Sequence, residues 1–258
     1  MRSISFEGQD LYYHIEGEGI PVLFLHGFLE NQSMWDNIKP SIIASGCRVI
    51  TVDLPCHGKS RFDGEICTME FMAEGILKVL SHEKIENPFL FGHSMGGYVG
   101  LELIKRIPVG LTMLHSNFWA DSENKKHDRN RVIEVVTHSK KRFIREAIPN
   151  LFAPENRSKN EQDIETLISG ACEIPIREIQ ASTAGMRDRN DNTVLLDEHN
   201  IYIIHGEEDP IIPSELLLSE LKKVSKDIQL FTIKNCGHMS VWESPETLIK
   251  LMKSVISP

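Results

Sequence analysis

The chain lacks the marks of several broad protein classes. Its five cysteines, Cys47, Cys56, Cys67, Cys172 and Cys236, are odd in number, widely spaced and form no C-x-x-C pair. That leaves neither a disulfide framework nor a zinc site, and suits scattered thiols in a reducing compartment. Long hydrophobic runs are missing too. The longest, Ile20 to Leu29, is interrupted by Pro21, His26 and Gly27 and falls far short of a membrane span. The opening MRSISFEGQDLYYHIEGEG contains no apolar h-region, so no signal peptide is expected. A soluble, cytoplasmic protein with no membrane partner is the expectation. Positive charge is in deficit, with 28 Lys plus Arg against 37 Asp plus Glu and a net charge of −9. An acidic surface repels polyanions, which argues against nucleic acid as a partner. No internal repeat or low-complexity tract occurs. With 25% charged residues, 17 Gly and 12 Pro, disorder, collagen and coiled coil are excluded.

What is present is a globular composition, 258 residues and 41% apolar, enough for one large domain or a core with an inserted subdomain. The segments Ser3–Glu7 and Leu11–Glu16 alternate around Gly8-Gln9 and predict an antiparallel hairpin. Beyond them come short continuous apolar runs: Pro21–Leu25, Arg48–Val52, Pro88–Phe91, Leu111–Leu114, Ile201–Ile204 and Ile228–Ile233. Runs of this length without alternation suit strands buried on both faces of a parallel sheet. Between them, helical spacing marks Trp35–Ser45, Thr68–Ser81, Met95–Arg106, Pro213–Val224 and Pro245–Ile256. The alternation predicts an α/β domain with helices on both faces. Residues 117–196 break the rhythm and predict an insertion of several short helices, a lid over one end of the sheet. The expected domains are thus a core of 1–116 and 197–258 and an insertion of 117–196.

The sharpest local signal is Gly92-His93-Ser94-Met95-Gly96, followed by Gly97. A bare G-x-S-x-G arises by chance in about one chain in ten of this size, so its placement between a strand-like and a helix-like segment carries the weight. There a tight turn would strain Ser94 and expose its hydroxyl, while the helix N-terminus offers N–H groups to developing negative charge. Such a hydroxyl needs a base oriented by a carboxylate. His238 stands in a loop directly after the last strand, with His205 and His115 at other strand ends. For the acid, Asp209 follows a strand in His205-Gly206-Glu207-Glu208-Asp209-Pro210, with Glu207 and Glu208 beside it and Asp121 farther off. The backbone N–H groups of Phe28, after His26-Gly27, and of Met95 are candidates for an oxyanion hole.

Together with Asp53-Leu54-Pro55-Cys56-His57-Gly58-Lys59-Ser60, these motifs resemble the α/β-hydrolase fold family over essentially the whole chain. One departure is Cys56, where a glycine is more usual. The resemblance implies an α/β-hydrolase fold with a mostly parallel, eight-stranded sheet, a helical cap inserted after the sixth strand, and the triad Ser94, Asp209 and His238. Relatives that open epoxides or displace halides carry aspartate where this chain has Ser94. The expectation is therefore a serine hydrolase of small or medium carboxylic esters, or thioesters, with no metal and no other cofactor. Its partner would be a small-molecule ester, and the protein a monomer or homodimer. Similar triads cleave carbon–carbon bonds or eliminate from substrates bearing several carboxylates, as in menaquinone biosynthesis. A basic stretch gives that alternative some footing, because residues 121–145 hold eight basic residues (Lys125, Lys126, Arg129, Arg131, Lys140, Lys141, Arg142, Arg145) against four acidic ones. A non-catalytic ligand receptor is the third possibility. Phe118, Trp119 and Trp242 are the candidate walls of an acyl pocket, with Phe143 and Phe152 also available.

Overall fold

Eight strands form one sheet in the order β1-β2-β4-β3-β5-β6-β7-β8 in the computed structural model, which describes residues 1–256. β1 (Arg2–Phe6) and β2 (Gln9–Glu16) make the expected hairpin, and β2 lies antiparallel on β4 (Cys47–Val52). From β4 onward, β3 (Ile20–Leu25), β5 (Phe89–His93), β6 (Leu111–Leu114), β7 (Ile201–Gly206) and β8 (Gln229–Ile233) all run parallel.

The continuous apolar runs make sense because alternate side chains fill different cores. In β3, Leu23 and Leu25 join one cluster while Val22 and Phe24 join the other. The first cluster lies under α2 (Met69–His82) and α3 (Met95–Ile104). The second holds Trp35, Ile38 and Ile42 and is covered by α1 (Lys39–Ile43) and α10 (Pro245–Ile256). α2 follows its sequence closely: Thr68 caps it by accepting from Phe71 N–H at 3.1 Å, and Met69, Met72, Ala73, Ile76, Val79 and Leu80 form its buried stripe. The segment expected as one helix over Trp35–Ser45 is instead a 3₁₀ turn at Gln32–Trp35 followed by α1. Pro40 has no N–H to donate, so a helix can begin only just before it.

Between β6 and β7 run α4 (Glu123–Ala147), α5 (Glu161–Glu173), α6 (Ile176–Arg187) and α7 (Thr193–Glu198). The insertion is thus built of several helices, and α4 itself is two helical stretches that meet at a kink. Its sequence contains no glycine or proline and many strong helix formers, which favour helix on both sides of the kink. It bends at Ser139, whose φ of −141° and ψ of 37° leave the helical region. These helices have a core of their own, in which Val136, Ile144, Phe152, Ile164, Ile168 and Ile179 are joined by Leu29 and Met239 from the sheet's loops. α8 (Ser214–Leu221) and α9 (Ser240–Glu243) complete the chain. Among the described residues no helix is long and apolar enough to cross a membrane.

Phe24 stacks on Trp35 at 4.8 Å and meets Phe91 at 5.5 Å, all three fully buried. Phe24→Ala is expected to destabilise the fold by about 3–5 kcal/mol, read as a lower urea midpoint with an unchanged slope.

Candidate active site

Backbone strain gathers where the parallel strands end. Leu29, Cys56, Ser94, His115 and Asn235, on the loops after β3, β4, β5, β6 and β8, all have φ between +47° and +74°. For a residue with a side chain such angles carry strain, and they cluster at functional sites. Cys56, the departure from the family pattern, thus adopts the left-handed backbone that a glycine would adopt without strain.

Ser94 has φ +50° and ψ −115° and heads α3. Its N–H donates to Leu114 O at 2.9 Å, and its carbonyl accepts from Gly97 N–H and the Ser116 hydroxyl. The turn is so tight that a Cβ on Gly96 would stand 2.3 Å from Leu25 O, which explains the glycine. Among the described residues neither Met95 N–H nor Phe28 N–H donates to a protein acceptor, leaving both available to a bound oxygen.

Asp209 is buried after β7 and receives Ile211 N–H and Ile212 N–H on Oδ1, at 2.8 and 3.0 Å. Its Oδ2 lies 2.8 Å from His238 Nδ1. Burial favours the neutral acid, yet the charge of His238 and the hydrogen bonds hold the carboxyl well below the usual carboxylate range. Three of the sequence alternatives are placed elsewhere or differently. Asp121 is taken up by Arg189 at 2.7 Å and Arg129 at 3.1 Å. Glu207 and Glu208 precede the buried carboxylate and are exposed, unlike Asp209.

His115 also faces Asp209, with Nδ1 at 3.3 Å from Oδ2, and Gly206 N–H points at the same Nδ1 from 3.2 Å. A backbone N–H can only donate, so Nδ1 is the acceptor and Nε2–H donates to Ser240 Oγ at 2.7 Å. Burial keeps this ring neutral, its pKa pulled down to about 3. His238 is then the imidazole that donates to Asp209. His115, His205 and Asp209 are also the residues that could hold a metal, with donor atoms within 4.8 Å of one another. Two of those three donors are already engaged, His115 by Gly206 and Asp209 by His238.

Sequence reasoning missed a second buried pair. Glu30 Oε2 accepts from Gly27 N–H at 2.7 Å and from His93 Nδ1 at 3.1 Å, and His93 Nε2 faces His238 O at 2.9 Å. With an acceptor on each nitrogen, His93 is doubly protonated. Burial opposes its charge, but the Glu30 carboxylate outweighs burial and raises its pKa, while His93 in turn lowers that of Glu30. Glu243 was missed as well. Its carboxylate accepts from Gly237 N–H and Met239 N–H, on either side of His238, and from Ala153 N–H of the insertion, all at 3.0–3.1 Å. His238 N–H itself donates to Leu151 O at 2.8 Å. Asp53 holds loops together rather than reaching the cavity, accepting from Gln32 N–H and Lys59 N–H.

Ser94 and His238 open into one cavity of about 170 Å³, walled by Phe28, Tyr98, Phe143, Ile148, Leu151 and Met186, with Lys125 and Arg129 from α4. The three expected wall residues are not among its lining. Phe118 is buried in the main core, where Trp119 packs edge-on at 5.0 Å, because both follow β6 directly as the chain leaves the sheet. Trp242, carried one helical turn past His238, borders a different cavity against α5. Of the two other aromatics of the insertion, Phe143 faces Ser94's cavity, while Phe152 fills the insertion core. The basic stretch divides similarly. Lys126, Arg142 and Arg145 pair with Glu123, Glu146 and Glu165 at the surface, and Lys140 caps the carbonyls of Cys172 and Ile174.

Residues 22–251 match the family model described as "Alpha/beta hydrolase family". A thermophilic esterase from Thermogutta terrifontis superposes with a TM-score of 0.90 at 27% identity, covering 99% of this chain and 98% of that one. AB hydrolase superfamily protein YisY of Bacillus subtilis is 25% identical over 248 residues, 92% of this chain and 91% of that protein. The dihydrolipoyllysine-residue acetyltransferase component of the acetoin cleaving system of Pseudomonas putida is 26% identical over 249 residues, 93% of this chain. The chain spans 65% of that protein's length.

Removing one member of a buried ion pair strands the other, so Glu30→Gln is expected to destabilise the fold by about 3–5 kcal/mol. The His93 contribution is complete below pH 6.5 and is lost as pH rises through its raised folded-state value. The Glu30 contribution is complete above pH 4.5 and is lost as pH falls through its lowered folded-state value. The gap in urea midpoint between wild type and Glu30→Gln is therefore expected to be widest between pH 4.5 and 6.5.

Proposed function

The chain belongs to the alpha/beta hydrolase family, and on that premise we propose that it hydrolyses carboxylic esters through an acyl-enzyme on Ser94. The observation that carries this reading is Ser94, strained at the head of α3, sharing one cavity with a histidine whose Nδ1 rests 2.8 Å from a buried carboxylate.

In the proposed reaction Ser94 Oγ attacks the ester carbonyl carbon while His238 Nε2 takes the hydroxyl proton. The carbonyl oxygen becomes an oxyanion facing Phe28 N–H and Met95 N–H, each worth about 3 kcal/mol of transition-state stabilisation. As the carbonyl re-forms, the C–O bond to the alcohol breaks and His238 returns the proton to the departing oxygen. Water then attacks the acyl-enzyme by the same proton path, releasing the acid and Ser94. Asp209 keeps the Nδ1–H tautomer and stabilises the imidazolium formed at each step. Residues 117–196 act as the cap of this site, since α4 walls the cavity and Leu151–Ala153 grip the loop of His238. Thioesters suit the same machinery.

Hydrolysis of p-nitrophenyl esters from acetate to decanoate tests the reading, with wild type and Ser94→Ala in parallel. Turnover with a chain-length optimum is expected from wild type, and a loss of about four orders of magnitude or more from Ser94→Ala, with thermal unfolding unchanged. Asp209→Asn is expected to lose about 10⁴-fold in kcat by imposing the wrong tautomer. Near-normal activity in Ser94→Ala would remove the serine from the mechanism. Wild-type turnover no faster than the mutant's across the series would favour carbon–carbon cleavage, elimination or a receptor.

A further inference from the structure

We propose that the substrate is an ester carrying a carboxylate at the end of a short apolar chain, with Lys125 and Arg129 of α4 binding that carboxylate. This rests on the ester-hydrolase reading above and names its substrate class.

Lys125, Arg129 and Val132 stand at i, i+4 and i+7 on α4, and all three line the cavity of Ser94 and His238. Past the bend at Ser139 the same helix adds Phe143 and Ala147. One helix thus gives the cavity a cationic end and an apolar flank, which Ile148, Leu151, Met186 and Ile211 extend.

The positive charge at that end is only partly offset by Asp121 and Asp128. Asp121 is shared between Arg189 Nη1 at 2.7 Å and Arg129 Nε at 3.1 Å, so one carboxylate serves two guanidinium groups. Arg189 is held there by the carbonyls of Met186 and Trp119 and lies 4.1 Å over the ring of Tyr98, itself a cavity residue. Arg129 donates only through Nε, leaving both terminal nitrogens without a protein acceptor, and Lys125 has no side-chain hydrogen bond or ion pair among the described residues. Partial desolvation, and then the neighbouring Arg129, lower the Lys125 pKa against the opposing pull of Asp121 and Asp128. Glu30, the acidic residue of the cavity wall, is matched by His93 and contributes no surplus negative charge. A planar guanidinium edge beside a mobile ammonium suits a carboxylate. The other basic residues of this stretch do not line the cavity.

The test compares kcat/KM for monomethyl esters of C5 to C8 dicarboxylic acids with kcat/KM for the neutral dimethyl esters of the same acids. It is run on wild type, Ser94→Ala, Lys125→Gln and Lys125→Glu, with folding checked by thermal melting. Wild type is expected to prefer the monoanionic ester by about tenfold or more at the best chain length, the size of one charge-assisted hydrogen bond. Lys125→Gln is expected to reduce that preference about tenfold, and Lys125→Glu to invert it. A wild-type preference for the neutral esters, or one that Lys125→Glu leaves unchanged, overturns the proposal. Serine-dependent hydrolysis of the dimethyl esters would meanwhile uphold the esterase reading. If wild type hydrolyses neither these nor p-nitrophenyl esters faster than Ser94→Ala, the esterase reading fails and this inference falls with it.

Discussion

One buried carboxylate, Glu30, joins three strand ends that must agree in position for the site to exist. Through Oε2 it holds the Gly27 N–H of the loop that carries Phe28, and it pairs with His93, the residue before Ser94. His93 reaches on to the carbonyl of His238. The oxyanion loop, the nucleophile turn and the base loop are therefore tied by two almost wholly buried side chains. In such surroundings each hydrogen bond is strong and each unmatched group expensive, which makes the arrangement all-or-none. The fit also fixes Gly27, where a Cβ would lie 2.8 Å from His93 Nδ1 and 2.9 Å from Glu30 Oε2.

A second link ties the site to the helices between β6 and β7. Glu243 gathers the N–H groups on both sides of His238 together with Ala153 N–H, and Leu151 O takes the His238 N–H. Leu29 and Met239, from the loops that bear Phe28 and His238, are packed in the core of those helices. The walls of the cavity and the position of the base are thus set by the same contacts. A change in how the helices seat would move His238 as well as reshape the cavity.

Charge is distributed to match. The surface is acidic overall, and Lys126, Lys140, Arg142 and Arg145 of α4 are spent on neighbouring carboxylates or helix-end carbonyls. Lys125 and Arg129, the two turned toward Ser94, are left without a full partner among the described residues. Electrostatic potential inside a cavity with low-dielectric walls is stronger than the same charges would produce on an open face. The local sign therefore matters more to a ligand there than the net charge of the chain.

Composition and local pattern determined the architecture by themselves. Strands buried on both faces leave unbroken apolar runs, β3 and β6 among them, and a tight strand-to-helix turn leaves Gly92 and Gly96 around Ser94. Chain order likewise pointed to Asp209 and His238, since those loops follow consecutive strands of a parallel sheet. Tertiary structure decided what depends on contacts between residues far apart in sequence. Glu30 meets His93 across 63 positions and Asp121 meets Arg189 across 68, and nothing local to either residue announces a partner. Phe118, Trp119 and Trp242 failed as cavity walls for the same reason, because an aromatic's sequence position does not say which of two neighbouring cores it enters. Which face of α4 turns to the cavity, and so which cations border Ser94, was settled only when that helix packed over the sheet.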